Sequence, residues 1–536
     1  MKKIILFSFL FLSLNTSIIY SQPQFEWVKN YPIYGKAAAM DSTGNVYVVG
    51  TIGNTTKLLK YNSTGNLIWS RIDSIQTSGA GICAAADMHG NVYFTAEVYH
   101  ILPDKDYTWV IATVKYDSTG NRNWIKQYTT GFASRASSMA VDYSGNIYVA
   151  GYGSLTYRDN YLTIKYNPQG DTLWTAIYNS PSTNGGSGAS AICTDLQNNV
   201  FVTGLSITET TNSDYLTIKY NSEGIQQWTA RYDGPNHLFD EAQSIAVDKY
   251  GYSYVTGDIL YDSNNHITGT IRYSPNGDSI WTRLYFPPFL HEFEYGNNIL
   301  LDTALNVYVT GLGGDLNHIR SNRIIKYDKH GNLLWTSLDS EYIYIPYSSI
   351  LDRYGNIYLT GSAEYSIYST EYNSSGIKIW SSHYPPFNLT NISYLGSRFL
   401  LDNYNNLYVF GSALDSSILI KYGLLTNINK TYEIIDTYYK LYQNYPNPFN
   451  PSTKIRFDVP EDVKRKTLQR EGGQASDVRL TIYDITGREI QTLVNESLKP
   501  GSYEVTFNAS QYPSGVYFYK LTTEGFSETK KMLLLK

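Results

Sequence analysis

The sequence predicts an all-β repeat protein, and three observations support this prediction. A short motif, roughly Asp-x-x-Gly-Asn followed by an apolar strand, occurs eight times in 536 residues. Successive copies lie 46 to 55 residues apart, and a segment of that length is too small to bury its own apolar face. Tyrosine is the outlier of the composition, at 52 residues, and such side chains fit a pleated, half-buried surface. The repeats must therefore share one architecture.

The N-terminal segment reads as a signal peptide. Lys2 and Lys3 precede an apolar run over 4–14, and polar and small residues follow as far as Ser21. The apolar run is too short to cross a bilayer as a helix, and no later segment reaches that length. We therefore expect a signal peptide over 1–21 and a mature chain that begins at Gln22.

One repeat contains four predicted strands. In the third copy, residues 137–142, 146–151, 161–166 and 172–178 alternate as strands, separated by tight turns at 143–146 and 167–170. Four antiparallel strands in about fifty residues are typical of a propeller blade. The eight anchor aspartates that begin the first turn are Asp41, Asp87, Asp142, Asp195, Asp248, Asp302, Asp352 and Asp402.

The third and fourth strands of the repeat also have a signature. The third ends in Lys-Tyr at Tyr61, Tyr116, Tyr166, Tyr220, Tyr327 and Tyr422, with Arg-Tyr at Tyr273 and Glu-Tyr at Tyr372. The fourth carries Trp69, Trp124, Trp174, Trp228, Trp281, Trp335 and Trp380. The last repeat lacks its tryptophan, whereas an unassigned Trp27 precedes the first anchor. We therefore predict an eight-bladed β-propeller over 22–422 that the N-terminal strand closes, which removes exposed strand edges; seven blades and a separate hairpin are the alternative.

The repeat resembles the SBBP-type bacterial β-propeller repeat family, as in the segment Val141-Asp-Tyr-Ser-Gly-Asn-Ile-Tyr-Val-Ala-Gly151. The resemblance covers roughly residues 25–422. It implies a propeller fold and no particular function. The family name assumes seven blades, so the count of eight departs from it.

Composition and motif spacing exclude several classes of site. The net charge is −5 and the basic residues are scattered, so no nucleic-acid-binding face is expected. Cys83 and Cys193 fall in non-adjacent repeats and are predicted to be free thiols. Each anchor turn offers one carboxylate, which favours turn capping over calcium binding. The eight histidines form no His-x-x-x-His pair, so zinc is not expected either, and no cofactor is predicted.

The variable loops are the predicted binding surface. Both tight turns of the repeat fall on one face and are short, whereas the loops on the opposite face vary in length, and function concentrates in variable loops on a rigid frame. Aromatic side chains among carboxylates there suit a sugar or a peptide, the alternative being that they only cover blade edges. The candidates are Tyr99, His100, Asp104, Asp106, Trp109, Phe289, His291, Glu292 and Tyr295.

A different domain is predicted at the C-terminus. Residues 423–436 read as a linker, and alternating strands follow over 478–484, 489–494, 502–508, 515–522 and 526–535. About seven strands in the hundred residues 437–536 suggest an immunoglobulin-like β-sandwich. The polar stretch 461–477 reads as a loop insertion.

This segment resembles the type A C-terminal sorting domain of the type IX secretion system of Bacteroidetes-like bacteria. The motifs that carry the resemblance are Asn444-Tyr-Pro-Asn-Pro-Phe-Asn-Pro-Ser-Thr453, Tyr483-Asp-Ile-Thr-Gly487, Pro513-Ser-Gly-Val-Tyr-Phe-Tyr519 and Lys530-Lys-Met-Leu-Leu-Leu-Lys536. The resemblance implies handling by the type IX machinery and passage through the periplasm and outer membrane. It also implies removal of the domain in many members and attachment to surface lipopolysaccharide. The residues that match the sorting signal are Asn444, Pro446, Asn447, Pro448, Phe449, Gly487, Gly515, Lys530, Lys531, Met532 and Lys536. An ordinary adhesive sandwich is the alternative.

The sequence thus predicts an exported, non-catalytic binding or structural module, displayed on the cell surface or released. The alternative is an enzyme, either a quinoprotein-like oxidoreductase or a propeller hydrolase. Residues 62–69 resemble the tryptophan-docking repeat of eight-bladed quinoprotein dehydrogenases, but the spacing is one residue shorter and the adjacent cysteine pair is missing. Gly185-Gly-Ser-Gly-Ala approaches a nucleophile elbow but lies between strands.

Overall fold

The computed structural model is all-β and divides into two compact units, Met1–Gly423 and Leu424–Lys536. The described residues contain no helix, and so none with the length and hydropathy to span a bilayer. The structure describes residues 25–101, 107–154, 158–179, 181–182, 185–262, 265–287, 294–314, 320–339, 345–363, 366–384, 394–403, 405–413, 416–422, 429–431, 439–459, 476–498, 501–523 and 526–536. The predicted signal peptide lies outside these residues.

The first three repeats share one large antiparallel sheet. Its strands are β2 (Tyr34–Met40), β3 (Val46–Ile52), β4 (Thr55–Tyr61), β5 (Leu67–Ala86), β6 (Val92–Ile101), β7 (Tyr107–Tyr116), β8 (Arg122–Tyr128), β9 (Ala133–Val141), β10 (Ile147–Ser154), β11 (Asp159–Tyr166) and β12 (Thr172–Tyr178). The repeats join because β5 runs on from the first repeat into the second, and because β7 and β9 meet in one parallel pair, Trp109 with Ala133.

Repeats four to seven each form a separate four-stranded antiparallel sheet, in chain order. The strands are β13 (Ser187–Thr194), β14 (Val200–Ile207), β15 (Ser213–Tyr220) and β16 (Gln226–Tyr232); β17 (Asp240–Val247), β18 (Ser253–Leu260), β19 (His266–Tyr273) and β20 (Ser279–Tyr285); β21 (Glu294–Leu301), β22 (Val307–Gly314), β23 (Arg320–Tyr327) and β24 (Leu333–Leu338); and β25 (Ile345–Leu351), β26 (Ile357–Ala363), β27 (Ser366–Tyr372) and β28 (Lys378–Tyr384).

The last repeat takes its fourth strand from the N-terminus, as predicted. Strands β29 (Tyr394–Leu401), β30 (Leu407–Ala413) and β31 (Ser416–Tyr422) are joined at the outer edge by β1 (Phe25–Tyr31). The register pairs Phe25 with Tyr422 and Tyr31 with Ser417. Trp27 therefore occupies the position that the fourth-strand tryptophan holds in the other repeats.

The first strands of successive repeats contact each other in chain order, and β2 also contacts β29. Arg398 of β29 donates a hydrogen bond to the Ala38 carbonyl of β2 at 3.2 Å, and the Asn403 amide donates to the Ser42 carbonyl at 2.8 Å. Apolar clusters fill the spaces between neighbouring sheets, as where Tyr148 packs with Val202. The first and last repeats are therefore packed against each other.

The anchor aspartate organises the first turn of the repeat. In the first copy, Asp41 Oδ1 accepts hydrogen bonds from the backbone N–H groups of Thr43 and Asn45, both at 3.0 Å. Its Oδ2 accepts from the Asn45 amide at 2.8 Å and from the Tyr47 hydroxyl at 3.0 Å. Despite burial, these donors hold the pKa of Asp41 below its usual range. The carboxylate is thus fully used in turn capping, as the sequence predicted.

A second set of hydrogen bonds joins each of the first six repeats to the repeat that follows it. The lysine of the Lys-Tyr pair (arginine in the fifth repeat) and the fourth-strand tryptophan both donate to one backbone carbonyl in the second turn of the following repeat. The tryptophan Nε1 distances are 3.0–3.2 Å and the cation distances 2.8–3.0 Å. The acceptors are the carbonyls of Ser118, Pro168, Ser222, Pro275, Lys329 and Ser374. These contacts explain why the two residue types recur together.

The seventh repeat departs from this arrangement. Glu371 replaces the lysine, and its Oε2 accepts the hydrogen bond of Trp380 Nε1 at 2.5 Å within the same repeat. The following repeat has no hairpin turn from its third to its fourth strand, because the fourth strand is β1. The glutamate therefore supplies the acceptor that a turn carbonyl supplies elsewhere.

The C-terminal unit consists of two four-stranded sheets around one core. The sheets are β32 (Asn429–Thr431), β37 (Gly501–Asn508), β34 (Ser452–Val459) and β33 (Lys440–Leu441), and β36 (Glu489–Leu498), β35 (Ser476–Tyr483), β38 (Gly515–Thr523) and β39 (Phe526–Leu534). Phe457 and Val505 of the first sheet pack with Leu480 and Tyr519 of the second. Strand β32 lies within the predicted linker and pairs with β37.

Candidate functional site

A cavity of about 550 Å³ lies between the first turns of five repeats, and we call it the turn cavity. Its wall includes the residue that directly follows the anchor aspartate in each of them: Ser42, Met88, Tyr143, Leu196 and Lys249. The first turn of each repeat is held by its capped aspartate, so these side chains stand on a rigid frame. Such a frame with varied side chains is the usual construction of a binding site.

Three of these side chains are large, apolar and exposed. Met88 is 57% exposed, Tyr143 77% and Leu196 59%. Neighbouring exposed apolar groups on a soluble surface mark interaction sites. The anchor carboxylates beside them already accept hydrogen bonds in their own turns, as Asp142 does from the backbone N–H groups of Ser144 and Asn146. The wall therefore offers mainly apolar contact surface and the ammonium group of Lys249.

The position after the anchor aspartate varies strongly between the repeats. The other three repeats place Thr303, Arg353 and Asn403 there, so all eight repeats carry a different residue type. This position has no part in the turn hydrogen bonds of the anchor carboxylate. This position is not among the residues predicted to bind, because the short turns of the repeat are alike in length and in their anchor residues. Aligning the eight copies in register is the signal that finds it.

The predicted loop residues that the structure describes fall into two small groups. Tyr99 and Trp109 pair across β6 and β7 with ring centres 4.9 Å apart, and the Arg135 guanidinium lies 4.8 Å from the Trp109 ring. His100 is the next residue of β6. This group carries an aromatic surface that a sugar or a peptide could contact.

The second group lies on the fifth and sixth repeats. The Tyr295 and His266 rings lie in a tilted contact with their centres 4.7 Å apart, and His266 Nδ1 contacts the Asp258 carboxylate at 2.9 Å. The remaining predicted residues Asp104, Asp106, Phe289, His291 and Glu292 lie outside the described residues. The loop-face binding surface therefore stays a prediction.

A serine–histidine contact bears on the hydrolase alternative. Ser366 Oγ lies 2.9 Å from His383 Nδ1. The serine is buried at 3% exposure and also donates to the Ala363 carbonyl at 2.9 Å. Because the Ser366 hydroxyl is buried and already donates to a backbone carbonyl, it is not placed to attack a substrate. The pair has the geometry of a contact within the core.

The predicted sorting motif folds against the last strand of the C-terminal unit. Asn447 Oδ1 accepts a hydrogen bond from the Leu533 N–H at 2.9 Å. The Phe449 N–H donates to the Leu533 carbonyl, and the Leu535 N–H donates to the Phe449 carbonyl, both at 3.0 Å. Phe449 and Met532 are buried in the same core. The two ends of the domain are therefore held together by backbone pairing and apolar packing.

Asn444 fixes the start of this motif. Its buried amide donates to the Pro446 carbonyl at 3.1 Å and to Thr453 Oγ1 at 2.9 Å. The other sorting residues lie around the same unit. Pro448 precedes Phe449, Gly487 closes the turn capped by Asp484 with φ +82°, Gly515 begins β38, Lys530 and Lys531 lie on β39, and Lys536 Nζ donates to the Ser510 carbonyl at 2.6 Å.

Comparisons with protein families confirm both resemblances. Residues 443–535 match the family model described as a secretion system C-terminal sorting domain. Residues 123–154 match the model of a β-propeller repeat, the SBBP repeat. The chain thus carries a type IX sorting domain, which indicates export to the cell surface or secretion and handling by the type IX machinery. The repeat match, together with the four-stranded sheets, fits a propeller module.

Solved structures resemble the chain only distantly. Prolyl oligopeptidase B from Galerina marginata is 8% identical with a TM-score of 0.42, and the match covers 72% of this chain and 55% of that one. A protein from Lactobacillus plantarum is 12% identical with a TM-score of 0.34, covering 57% and 84%. A protein of unknown function from Dyadobacter fermentans is 9% identical with a TM-score of 0.36, covering 63% and 93%. The chain spans about half the length of the oligopeptidase. No curated protein matches the chain.

Proposed function

We propose that the protein is an exported, non-catalytic binding module that takes a protein or peptide ligand in the turn cavity. The observation that carries the proposal is the position after the anchor aspartate, which differs in all eight repeats while the turns that hold it are alike. A scaffold that needed these turns only for stability would have no reason to expose Met88, Tyr143 and Leu196.

The ligand class follows from the wall. The exposed groups are mainly apolar, and the neighbouring anchor carboxylates are used in turn capping, so the cavity suits an aliphatic or aromatic side chain of a peptide. A volume of about 550 Å³ is within the range of pockets that take a small ligand or a few side chains. A glycan ligand would instead favour the Tyr99–Trp109 pair on the loop face, which is the second candidate surface.

The architecture that we propose is an eight-bladed propeller followed by an immunoglobulin-like sorting domain. Eight anchors, eight third-strand tyrosines and eight tryptophans support the count, with Trp27 assigned to the last blade by the pairing of β1 with β31. Two four-stranded sheets around one core support the sandwich. Export through the periplasm and outer membrane, removal of the sorting domain and attachment to lipopolysaccharide belong to the same proposal.

A display experiment tests the binding proposal. The purified protein is panned against a phage-displayed random peptide library and, separately, applied to a glycan array. The double variant Tyr143→Ser, Leu196→Ser should lose the selected peptides by at least tenfold in affinity. Ile225→Ser is the matched control, because this residue is 62% exposed but lies in a second turn away from the turn cavity.

The outcomes separate the two surfaces. Peptides that bind the double variant as well as the parent protein would refute the turn cavity as the site. Glycan binding that Trp109→Ala abolishes and the double variant preserves would move the site to the loop face. Oxidation of an alcohol to its aldehyde by the protein loaded with pyrroloquinoline quinone, with an artificial electron acceptor added to reoxidise the reduced quinone, would instead favour the oxidoreductase.

A further inference from the structure

A cluster of three aspartates lies at the junction of the fourth and fifth repeats. Asp214 is the second residue of β15, Asp240 begins β17, and Asp233 lies in the connection between β16 and β17. One carboxylate oxygen from each lies within 4.8 Å of one from each of the others. Ser213 and Phe239, the neighbours of two of them, form a parallel bridge that fixes the spacing.

The cluster is buried and incompletely satisfied. Asp214 and Asp240 are both 0% exposed. The Oδ1 atoms of all three aspartates are buried and have no hydrogen-bond partner among the described residues. A buried carboxylate oxygen without a partner is costly, because it loses its hydration and gains nothing in exchange. Three carboxylates this close together, each with one such oxygen, favour a shared partner.

Each Oδ2 atom already contacts a nitrogen donor, which leaves the Oδ1 atoms available for that partner. Asp214 Oδ2 accepts from Arg231 at 2.8 Å, and Asp240 Oδ2 accepts from the Gly234 N–H at 2.5 Å. Asp233 Oδ2 contacts His237 Nδ1 at 2.5 Å. The contact of one oxygen thus fixes the orientation of each carboxylate, and the other oxygen has no hydrogen-bond partner among the described residues.

The charge of the cluster is also unbalanced. Three other buried acids in the same unit each face one cation: Asp73 faces Arg122 at 2.6 Å, Asp339 faces Lys378 at 2.8 Å and Glu294 faces Arg323 at 2.6 Å. The three clustered aspartates share the single guanidinium of Arg231, with the exposed His237 at the rim. A net charge of about minus two remains, which one divalent cation would neutralise.

We propose that Asp214, Asp233 and Asp240 bind a calcium ion that joins the fourth and fifth repeats. Oxygen-only donors select a hard cation, and calcium accepts the irregular arrangement that strands and a loop provide. Calcium–oxygen bonds of about 2.4 Å place ligand oxygens up to about 4.8 Å apart, which is the span of the cluster. Backbone carbonyls and water complete the six to eight oxygens that calcium takes.

The experiment compares the full mature protein with and without calcium after removal of metals by a chelating resin. Calorimetric titration with calcium chloride should show one site per chain, and calcium should raise the melting temperature by several degrees. Asp240→Asn should lower the calcium affinity at least tenfold and lose the calcium-dependent shift. In chelator it should melt no lower than the parent protein, because it removes a buried charge.

Glu294→Gln is the matched control, since Glu294 is the first residue of β21, as Asp240 is of β17, and is equally buried. It should lower the melting temperature equally with and without calcium and keep the calcium shift. If Asp240→Asn fails to fold, Asp233→Asn at the more exposed ligand replaces it. A parent protein that shows no calcium shift at millimolar calcium, or that responds equally to magnesium, would overturn the proposal.

Discussion

Replacing Glu371 by lysine should destabilise the protein, although lysine is the residue that the repeat pattern has at this position. In six repeats the cation reaches a turn carbonyl of the next sheet at 2.8–3.0 Å. In the seventh repeat, the next sheet receives its fourth strand from the N-terminus and has no such hairpin turn. A lysine at 371 would therefore place its ammonium group in a buried position without that acceptor.

The magnitude follows from two losses. Glu371 is 7% exposed, and its carboxylate accepts the Trp380 indole N–H at 2.5 Å. Leaving that N–H unpaired costs about 1–3 kcal/mol. Burial of an unpaired ammonium group adds a cost of the same order or larger. We expect Glu371→Lys to lower the free energy of unfolding by about 3 kcal/mol or more, measured by urea unfolding with tryptophan fluorescence.

Glu371→Gln is the matched control, because its amide oxygen can still accept the indole hydrogen bond. We expect this variant to change stability by about 1 kcal/mol or less at about pH 4, where the Glu371 carboxyl keeps its proton in both the folded and the unfolded chain. If Glu371→Lys unfolds at the same urea concentration as the parent protein, the account of the missing turn is wrong. Equal destabilisation by both variants would point to the carboxylate charge and not to the acceptor.

The remaining predictions concern closure, titration, a strained turn and export. Deletion of residues 22–30 removes most of β1 and the partly buried Trp27, so the N-terminal unit should lose about 5 kcal/mol or more of its free energy of unfolding. Its melting temperature should fall accordingly, and an unchanged melting temperature would contradict the closure by β1. Burial raises the pKa of Glu371 from 4.5 to about 7, so the folded state keeps a proton that the unfolded chain releases. The free energy of unfolding should therefore fall by about 3 kcal/mol as the pH rises from about 4.5 to about 7. The Glu371→Gln variant should lack this pH dependence in a series of urea unfolding curves. Leu305 adopts φ +66° where most repeats have glycine, so Leu305→Gly should stabilise the protein by about 1 kcal/mol in the same assay, while Ala304→Gly should not. Deletion of Lys530–Lys536 removes the buried Met532 and the partner of Phe449, so the protein should accumulate in the periplasm by cell fractionation; normal secretion would sink the assignment of these residues to the sorting signal.

The sequence predicted the local structure of the repeat well because short-range chemistry determines it. The strands of the third copy follow from alternation, and its turns follow from Asp142 and Gly145, whose side chain and backbone conformation close the chain within four residues. The pairing of β1 with β31 was also predicted, since counting tryptophans reveals a missing fourth strand. These features repeat, so each copy supports the interpretation of the others.

Contacts between repeats were not predictable in the same way. The sequence shows that lysine and tryptophan recur, but their common acceptor is a backbone carbonyl about fifty residues away, which has no side-chain signature. The continuous strand β5 was also missed. The aspartate cluster combines residues 19 and 7 positions apart, a spacing that matches no metal-binding motif.

The positions of the repeat differ in whether they make structural hydrogen bonds, and this difference determines which positions can vary. The anchor aspartate, the lysine and the tryptophan each hold hydrogen bonds that keep a turn or a junction together, so a change at these positions costs stability. The residue after the anchor holds none of the bonds of the anchor carboxylate and is exposed in Met88, Tyr143 and Leu196. These three residues can therefore vary without cost to the scaffold, and exchanging them with one another should alter ligand selection while leaving the melting temperature within a degree or two.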